Sequence, residues 1–479
     1  MRNRQTAGME FPTSTPSAQG VDPAGLDAFL DAIEADPAIE PHGLIIQRHG
    51  RRVLEGYWRP HHADQTRLVY SLSKSFTGAA LGLAVGDGLV DLDDLVAEHL
   101  PELTVDAAAR TRTMRIRHLA SMATGHADET LLDAFIANPA DPLAGFFSLE
   151  PQHEPGAWFA YNQPPVLALS AVLQRASGRR MSDVLRERVL GPVGVGDLRW
   201  YQYLPDVDLG FSGVFTNLDA IARLGQLHLD DGMWAGERIL PEGWVAQASM
   251  ARIDSSGRAE PDWSRGYGFL CWMCRHGYRG DGAYGQYMVI LPEHDVVVAF
   301  FSHTDPMQSF MDLIWEVLLP ALGPSGAGAA VDAAGDRAIA ERTARLELAT
   351  AAGRAGRSEP FASAASGHFG PSAVVASHPS ITSLDLDGAS GVAVVHEGDD
   401  SLRIPMSAEW VDVDGHPIAT SAAVGADGAV SLDLVMLASP HRLEIRTDPA
   451  SSTFSATWPI VPLFGMGLND VLARMVPPG

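Results

Sequence analysis

A serine stands three residues ahead of a lysine in Ser71-Leu-Ser-Lys74, and the apolar run Phe76-Thr-Gly-Ala-Ala-Leu-Gly-Leu-Ala follows with helical periodicity. If Ser71 opens that helix, the two side chains share a face, and the Lys74 amine comes within hydrogen-bonding reach of the Ser71 hydroxyl. A helix N-terminus favours negative charge on a nucleophile and on an acyl oxyanion. The same field, together with burial, lowers the pKa of a lysine and frees some amine to take a proton. Spacing alone does not establish this chemistry, because in an arbitrary helix S-x-x-K is a surface serine and lysine without a role. Ser73 and Ser75 are alternative hydroxyls, but neither has a lysine at i+3. Further on, His153-Glu-Pro-Gly-Ala-Trp-Phe-Ala-Tyr161-Asn-Gln puts Tyr161 just before a helix expected near Pro165. A tyrosine there, close to a cation, can act as a phenolate base; in isolation it reads equally as a half-buried ring with a wet hydroxyl.

The elements that must carry these groups follow from local pattern. Asp22 and Pro23 form a helix start, and Leu26, Phe29, Leu30 and Ile33 recur as an apolar stripe. Two strand-like runs flank the turn His49-Gly50-Arg51, and a helix-rich middle runs from about Ser71 to Ala248. Strands are expected again at Tyr267–Met273, Gly285–Leu291 and Asp295–Ser302, and a helix from Phe310 is expected to end at Pro320. The pattern predicts an α+β fold: an antiparallel sheet with the terminal helices on one face, beside a helical subdomain. After Pro320 the chain becomes rich in Ala, Gly and Ser, with one helix expected over 337–351. Beyond Gly367 the alternation has period two, as in Val430-Ser-Leu-Asp-Leu-Val-Met-Leu, and reads as an all-β sandwich or barrel. The expected division is an N-terminal tail 1–20, a domain 21–322, a linker 323–366 and a β-domain 367–479.

At 479 residues two or three domains are expected, and 46% hydrophobic against 19% charged residues suits a sizeable soluble core. A formal charge of −25 argues against nucleic acid or an anionic membrane as partner. No apolar run follows the basic residues at the start, and no segment is long enough for a membrane span. Cys271-Trp-Met-Cys274 has no second pair to complete a zinc site, so two structural thiols are expected, with a cytoplasmic location following from them. The seventeen histidines show no ligand spacing, so neither metal nor cofactor is expected. His118 and His126 read as structural, and Asp91-Leu-Asp-Asp as a capping turn.

Three segments in order resemble the serine β-lactamase-like superfamily: Ser71-Leu-Ser-Lys74-Ser-Phe-Thr-Gly, Ile116-Arg-His-Leu-Ala-Ser-Met-Ala-Thr-Gly-His126 and Pro155-Gly-Ala-Trp-Phe-Ala-Tyr161-Asn-Gln. Arg238-Ile-Leu-Pro-Glu-Gly-Trp244 and the terminal helices add to the likeness, which spans about residues 20–320. The nearest branch is that of class C β-lactamases, D-amino-acid and D-Ala-D-Ala peptidases, family VIII esterases and nylon-oligomer hydrolases. The resemblance implies that Ser71 attacks a carbonyl while Lys74 and Tyr161 share proton transfer. It implies an oxyanion held between the backbone N–H of Ser71 and one on a strand opening near Tyr284. Asn162, Gln163, Asp281, Gly282 and Tyr284 are then the expected substrate-binding residues.

Two departures from the family pattern matter. Gln163 stands where the tyrosine motif Y-x-N has Asn; it keeps a carboxamide able to contact substrate and Lys74. The K-T-G or H-x-G motif is replaced by Arg279-Gly-Asp-Gly-Ala-Tyr-Gly-Gln286. Either Asp281 points into the site, favouring neutral or cationic substrates over carboxylates, or Arg279 does, or Asp281 is an ordinary turn residue before a strand. The missing cation argues against efficient penicillin hydrolysis. The expected activity is a serine hydrolase of SxxK type, forming an acyl-enzyme on a small ester, amide or peptide. The alternatives are an acyltransferase or peptide-releasing cyclase of the same fold, and a non-catalytic binding protein that kept it. The C-terminal β-domain is expected to border the pocket or to serve a homodimer contact.

Overall fold

The computed structural model describes residues 10–475 apart from 104–106, 197, 205, 324–330, 357, 374–379, 464 and 466. Strands β1 (Ile39–Arg48) and β2 (Arg51–Tyr57) form a hairpin across His49 and Gly50, both with positive φ, the backbone twist a two-residue turn requires. Strands β3 (Trp272–Cys274), β4 (Gly277–Gly282), β5 (Gln286–Leu291) and β6 (Val296–Thr304) complete one antiparallel sheet in the order β3-β4-β5-β6-β1-β2. Helices α1 (Pro23–Ala35), α2 (Ser73–Gly86), α3 (Pro164–Ser177) and α4 (Leu218–Leu229) surround it. Asp22 caps α1, its carboxylate accepting from Ala24 N at 3.0 Å.

Side-chain parity along β6 assigns the two faces of the sheet. Phe300 stacks on Phe310 at 3.9 Å, and Phe310 lies 6.1 Å from Phe29, so α1 and the helical run 308–321 cover one face. Val297 points the other way, into α4, where a Cβ on Gly225 would come within 2.6 Å of it. The domain thus has three layers, with the strand-rich core between helices.

A second sheet follows: β7 (Gly367–Pro371), β8 (Ser383–Asp387), β9 (Val392–Glu397), β10 (Asp400–Pro405), β11 (Val411–Asp412), β12 (Ile418–Val424), β13 (Val430–Met436), β14 (Arg442–Asp448) and β15 (Thr453–Thr457). Their order is β10-β9-β8-β7-β15-β14-β13-β12-β11, antiparallel except where β7 meets β15. Ala422 N in β12 donates to Ser407 O just beyond β10, drawing the two ends together into a nearly closed barrel around its own core. The two cores share a small sheet of Arg67–Leu68, Val214–Thr216 and Arg199–Trp200. Val214 and Trp200 belong to the first core, and Phe215, Leu68 and Tyr201 pack into the second.

Several local expectations need correction. Of the run Tyr267–Met273 only Trp272 and Met273 are strand, which continues to Cys274; Leu270, at φ 59°, bends the chain before it. Asp281 is no turn residue: Arg279 to Gly282 lie within β4, and Tyr284 sits in the turn to β5 at φ 66°. The strand packed beside Ser71 closes at Gly282, and the next one opens at Gln286, just past Tyr284. Pro320 does not stop its helix, because the chain widens into a π-turn over Ile314–Leu318 and continues through Leu319–Ala321. The helix expected over 337–351 lies at α5 (Ala333–Thr343), started by the Asp332 cap. Arg342 in α5 pairs with Asp27 and Glu34 of α1, so this stretch is laid against the first domain; residues 324–330 of the expected linker fall outside the described residues. Residues 1–9 of the expected tail do too, while Ser14 N donates to Arg52 O beside β2. No helix among the described residues is long and apolar enough to cross a membrane.

Buried Asp262 ties β3 and β4 to the terminal helices. Its carboxylate accepts from Arg275 Nη2 at 2.7 Å, Gln308 Nε2 at 2.7 Å and Trp315 Nε1 at 3.0 Å. Burial raises its pKa, but these bonds outweigh it and hold the carboxyl at about 2. We expect Asp262→Ala to lower the unfolding free energy by about 3 kcal/mol or more, because buried Trp315 loses its acceptor while Arg275 keeps only Asp312. Urea denaturation checks this; a loss within a few tenths of a kcal/mol would contradict it.

Candidate active site

Ser71 lies in a tight 3-10 turn, Tyr70–Leu72, that runs into α2 at Ser73, two residues later than the sequence suggested. The turn is held by Ser73 Oγ, which donates to Tyr70 O at 2.6 Å and accepts from Val214 N at 3.0 Å. Ser71 is half-buried, whereas Lys74 is 2% exposed. The ammonium of Lys74 donates to Ser71 Oγ at 3.2 Å, Gln163 Oε1 at 2.8 Å and Phe211 O at 2.9 Å, which uses all three of its donors. None of these acceptors carries a charge. Burial therefore dominates and lowers the lysine to about 7, against the weaker opposing pull of Asp281 and Glu129.

Lys74 is also the only lysine in a chain whose lysines and arginines total 34. Arginine serves wherever else a cation is needed, but its guanidinium does not deprotonate. A primary amine at this one position is a signal that spacing alone does not give.

Tyr161 comes to the site on a loop paired with residues 122–126, through Ala160 N to Met122 O and Gly156 N to Ala123 O. Its ring stacks on Trp272 at 5.2 Å, and the Lys74 amine sits 4.7 Å from the ring centroid. The Tyr161 hydroxyl is hydrogen-bonded with Ser71. Burial first, and Asp281 second, push the phenol well above its ordinary value, so it stays protonated near neutrality. Ser71, Lys74, Tyr161 and Gln163 thus meet in one place. Asn162 does not reach substrate space: it is fully buried, and its Oδ1 accepts from Thr130 N and Thr130 Oγ1 at 3.0 and 3.1 Å.

Strand β4 comes unusually close to α2 and to the turn that carries Ser71. A Cβ on Gly280 would lie 2.1 Å from Ser75 Oγ, and one on Gly282 would lie 2.1 Å from Val69 O. These glycines serve close approach, not a turn. Arg279 and Asp281 alternate with them on the opposite face of β4. Arg279 Nε donates to Asp281 Oδ2 at 2.9 Å, and its guanidinium lies 4.1 Å from the Trp263 ring centroid. Arg279 is fully buried and spends its charge on Asp281, so neither of the two presents an unopposed charge. Burial raises the Asp281 pKa, with Arg279 and Lys74 pulling the other way. Tyr284 lies with its hydroxyl on Val461 O at 2.8 Å and its ring edge-on to Tyr70 at 5.5 Å, so it faces the second domain.

The remaining candidates are structural. Burial raises the Cys271 and Cys274 thiols to about 12 and 11, leaving both poor nucleophiles. His118 Nδ1 accepts from Arg115 N at the start of its helix, and His126 Nδ1 meets Thr124 Oγ1. Among the described residues no group of three or more His, Cys, Asp or Glu side chains could hold a metal ion.

With this geometry in place, the family model described as "Beta-lactamase" matches residues 26–322. The chain belongs to the beta-lactamase family. Penicillin-binding protein 4 of Amycolatopsis lactamdurans is 26% identical over 293 residues, 52% of this chain and 75% of that protein. The 6-aminohexanoate-dimer hydrolase of Paenarthrobacter ureafaciens is 24% identical over 286 residues, 54% of this chain and 71% of that one. The crystal structure of a family VIII carboxylesterase shares the fold at a TM-score of 0.50 and 16% identity, covering 65% of this chain and 99% of that one. Within this family fold the expected α+β domain and the added β-domain are both present.

The single lysine makes its environment directly measurable. In protein labelled with 13C-lysine, one Cε signal is expected, titrating near pH 7. Gln163→Leu removes an acceptor that favours the charged amine, so the midpoint should fall further. A midpoint unchanged or raised in Gln163→Leu would show that the 2.8 Å bond does not stabilise the cation.

Proposed function

We propose that this chain is a serine hydrolase that cleaves an ester or amide through an acyl-enzyme on Ser71. The observation that carries the reading is the buried Lys74 amine, poised near 7 and 3.2 Å from Ser71 Oγ, with no anion bound to it. Neutral Lys74 takes the Ser71 proton as Oγ attacks the carbonyl carbon. The carbonyl π pair moves to oxygen, giving an oxyanion beside the backbone N–H of Ser71 and of the segment following Gly282. Collapse breaks the bond to the leaving group. That group takes a proton from Tyr161, which is resupplied from the Lys74 ammonium across the site. Water then attacks the ester on Ser71, its proton passing back along the same pair, and the acid product leaves with Oγ reprotonated.

The protonated Tyr161 fits the part of proton donor better than that of a resting phenolate. Names among the relatives support bond cleavage next to a carbonyl: 6-aminohexanoate-dimer hydrolase, and a D-aminopeptidase of Brucella anthropi that is 26% identical over 193 residues. Where the family motif supplies a cation for a substrate carboxylate, Arg279 is consumed by Asp281. Neutral esters and amides are therefore the substrates proposed, and penicillins poor ones.

A fluorophosphonate should label Ser71 on the native protein; a label mapped to another residue, or none, overturns the reading. Its rate should rise about tenfold per pH unit up to pH 7 and then level, because only the neutral amine accepts the proton. Lys74→Arg should lose roughly a hundredfold or more in p-nitrophenyl ester turnover, since the guanidinium keeps its proton. Near-normal turnover in that variant would refute the proton relay. Nitrocefin hydrolysis should stay far below simple ester hydrolysis, and comparable rates would contradict the account of Arg279 and Asp281.

A further inference from the structure

Two bulky residues beside the site hold left-handed backbone that their side chains disfavour. Tyr70, immediately before Ser71, has φ 49°, and Tyr284, in the turn just past β4, has φ 66°. A tyrosine adopts this region only where surrounding contacts overdetermine it, and such residues gather at functional sites. Here the holding contacts come from the second domain. The Tyr70 hydroxyl meets His441 Nε2 at 2.6 Å, and the Tyr284 hydroxyl donates to Val461 O at 2.8 Å. The two rings meet edge to face at 5.5 Å, and each lies against the His441 ring, at 6.0 and 5.1 Å.

His441 is 2% exposed, and burial, followed by His303 and Arg67, holds its pKa well below the ordinary value. It is therefore neutral and able to accept the Tyr70 proton donor. The backbone reinforces the junction: Leu68 N donates to Ala438 O of the barrel at 2.9 Å. The segment leading into Ser71 is thus gripped by the barrel from both its main chain and its side chain.

We propose that the C-terminal β-domain is a working part of the active site. Through His441 on Tyr70 and the Val461 carbonyl on Tyr284, it sets the backbone on both sides of the carbonyl-binding position. Tyr70, Tyr284 and His441 are positioning residues: none touches the reacting atoms, and each acts through the N–H groups beside Ser71 and Gly282. The proposal rests on the acyl-transfer reading of Ser71. It predicts a defect in the chemical step rather than in substrate capture, because the affected groups bind developing charge.

The test compares wild type with Tyr70→Phe, His441→Phe, His441→Gln and the double variant Tyr70→Phe/His441→Phe. Active sites are counted by fluorophosphonate, so that unfolded protein drops out of the rate. Tyr70→Phe and His441→Phe should each lower kcat on p-nitrophenyl esters by roughly tenfold or more with KM within about twofold. The double variant should be no worse than the poorer single one, since both remove one bond. His441→Gln, whose amide oxygen can accept from the tyrosine, should recover most of the loss. Unchanged kcat per titrated site, losses that multiply, or a loss in His441→Gln as deep as in His441→Phe each overturn the positioning role. If wild type takes no label at Ser71, the functional reading falls and this proposal falls with it. If wild type labels at Ser71 while the variants keep its rate, only the positioning role falls.

Discussion

A buried lysine placed where no anion answers it constrains everything packed around Ser71. Lowering a lysine from 10.5 to about 7 corresponds to about 5 kcal/mol of disfavoured charging at low pH. The sign is that of a depressed amine: the unfolded chain binds the proton more tightly, so the penalty is full below pH 7. It fades as the pH rises from 7 toward 10.5. The rest of the protein must offset it. Three neutral oxygens and the faces of Tyr161 and Phe211 support the ammonium without restoring its ordinary affinity for the proton. A carboxylate at hydrogen-bonding distance would stabilise the charged amine and raise its pKa back toward the ordinary value.

That requirement explains the treatment of Asp281. A buried carboxylate beside Lys74 would otherwise raise the amine toward its ordinary value, and Asp281 does pull in that direction. Arg279, two residues away on the same face of β4, takes the charge at 2.9 Å and is itself stacked on Trp263. The pair is closed and the lysine stays low. Glycines on the other face of the same strand let it come against α2, so one six-residue strand handles electrostatics on one side and close approach on the other.

The distribution of what the sequence made legible follows the range of the interactions. Ser71 and Lys74 are three residues apart on a helical path, so their meeting is local and readable; the late helix start at Ser73 changes nothing for the pair. Tyr161 and Gln163 are far from them in sequence and were legible only through a family motif, since no periodicity places them. Asp281 stayed ambiguous because Gly-Asp-Gly has the composition of a turn, and only the packing of β4 on α2 shows that the glycines serve approach. Asn162 misleads because an amide beside Tyr161 has the same chemistry whether it faces a substrate or, as here, the buried Thr130. The solitary lysine needed no structure at all: its rarity among the cations was countable from the start.

The contact between Tyr70 and His441 spans 371 residues of sequence, and no local pattern could have announced it. Its physical basis lies in the small sheet that both cores share. Phe215 sends its ring into the barrel while Val214 beside it faces the first core, so this strand is one plank with two buried sides. The same plank receives Val69 N two residues before Ser71. The junction continues outward in the part-buried ion pair of Arg442 with Glu40 and in the exposed bond of the Tyr201 hydroxyl to Arg474 O. Separating the barrel from the first domain would strip cover from Phe215, break the Arg442–Glu40 ion pair and free the Tyr70 ring. The barrel is thus joined to the turn that carries Ser71 by shared core and by buried polar contacts, which is the physical route by which the proposed positioning role would act.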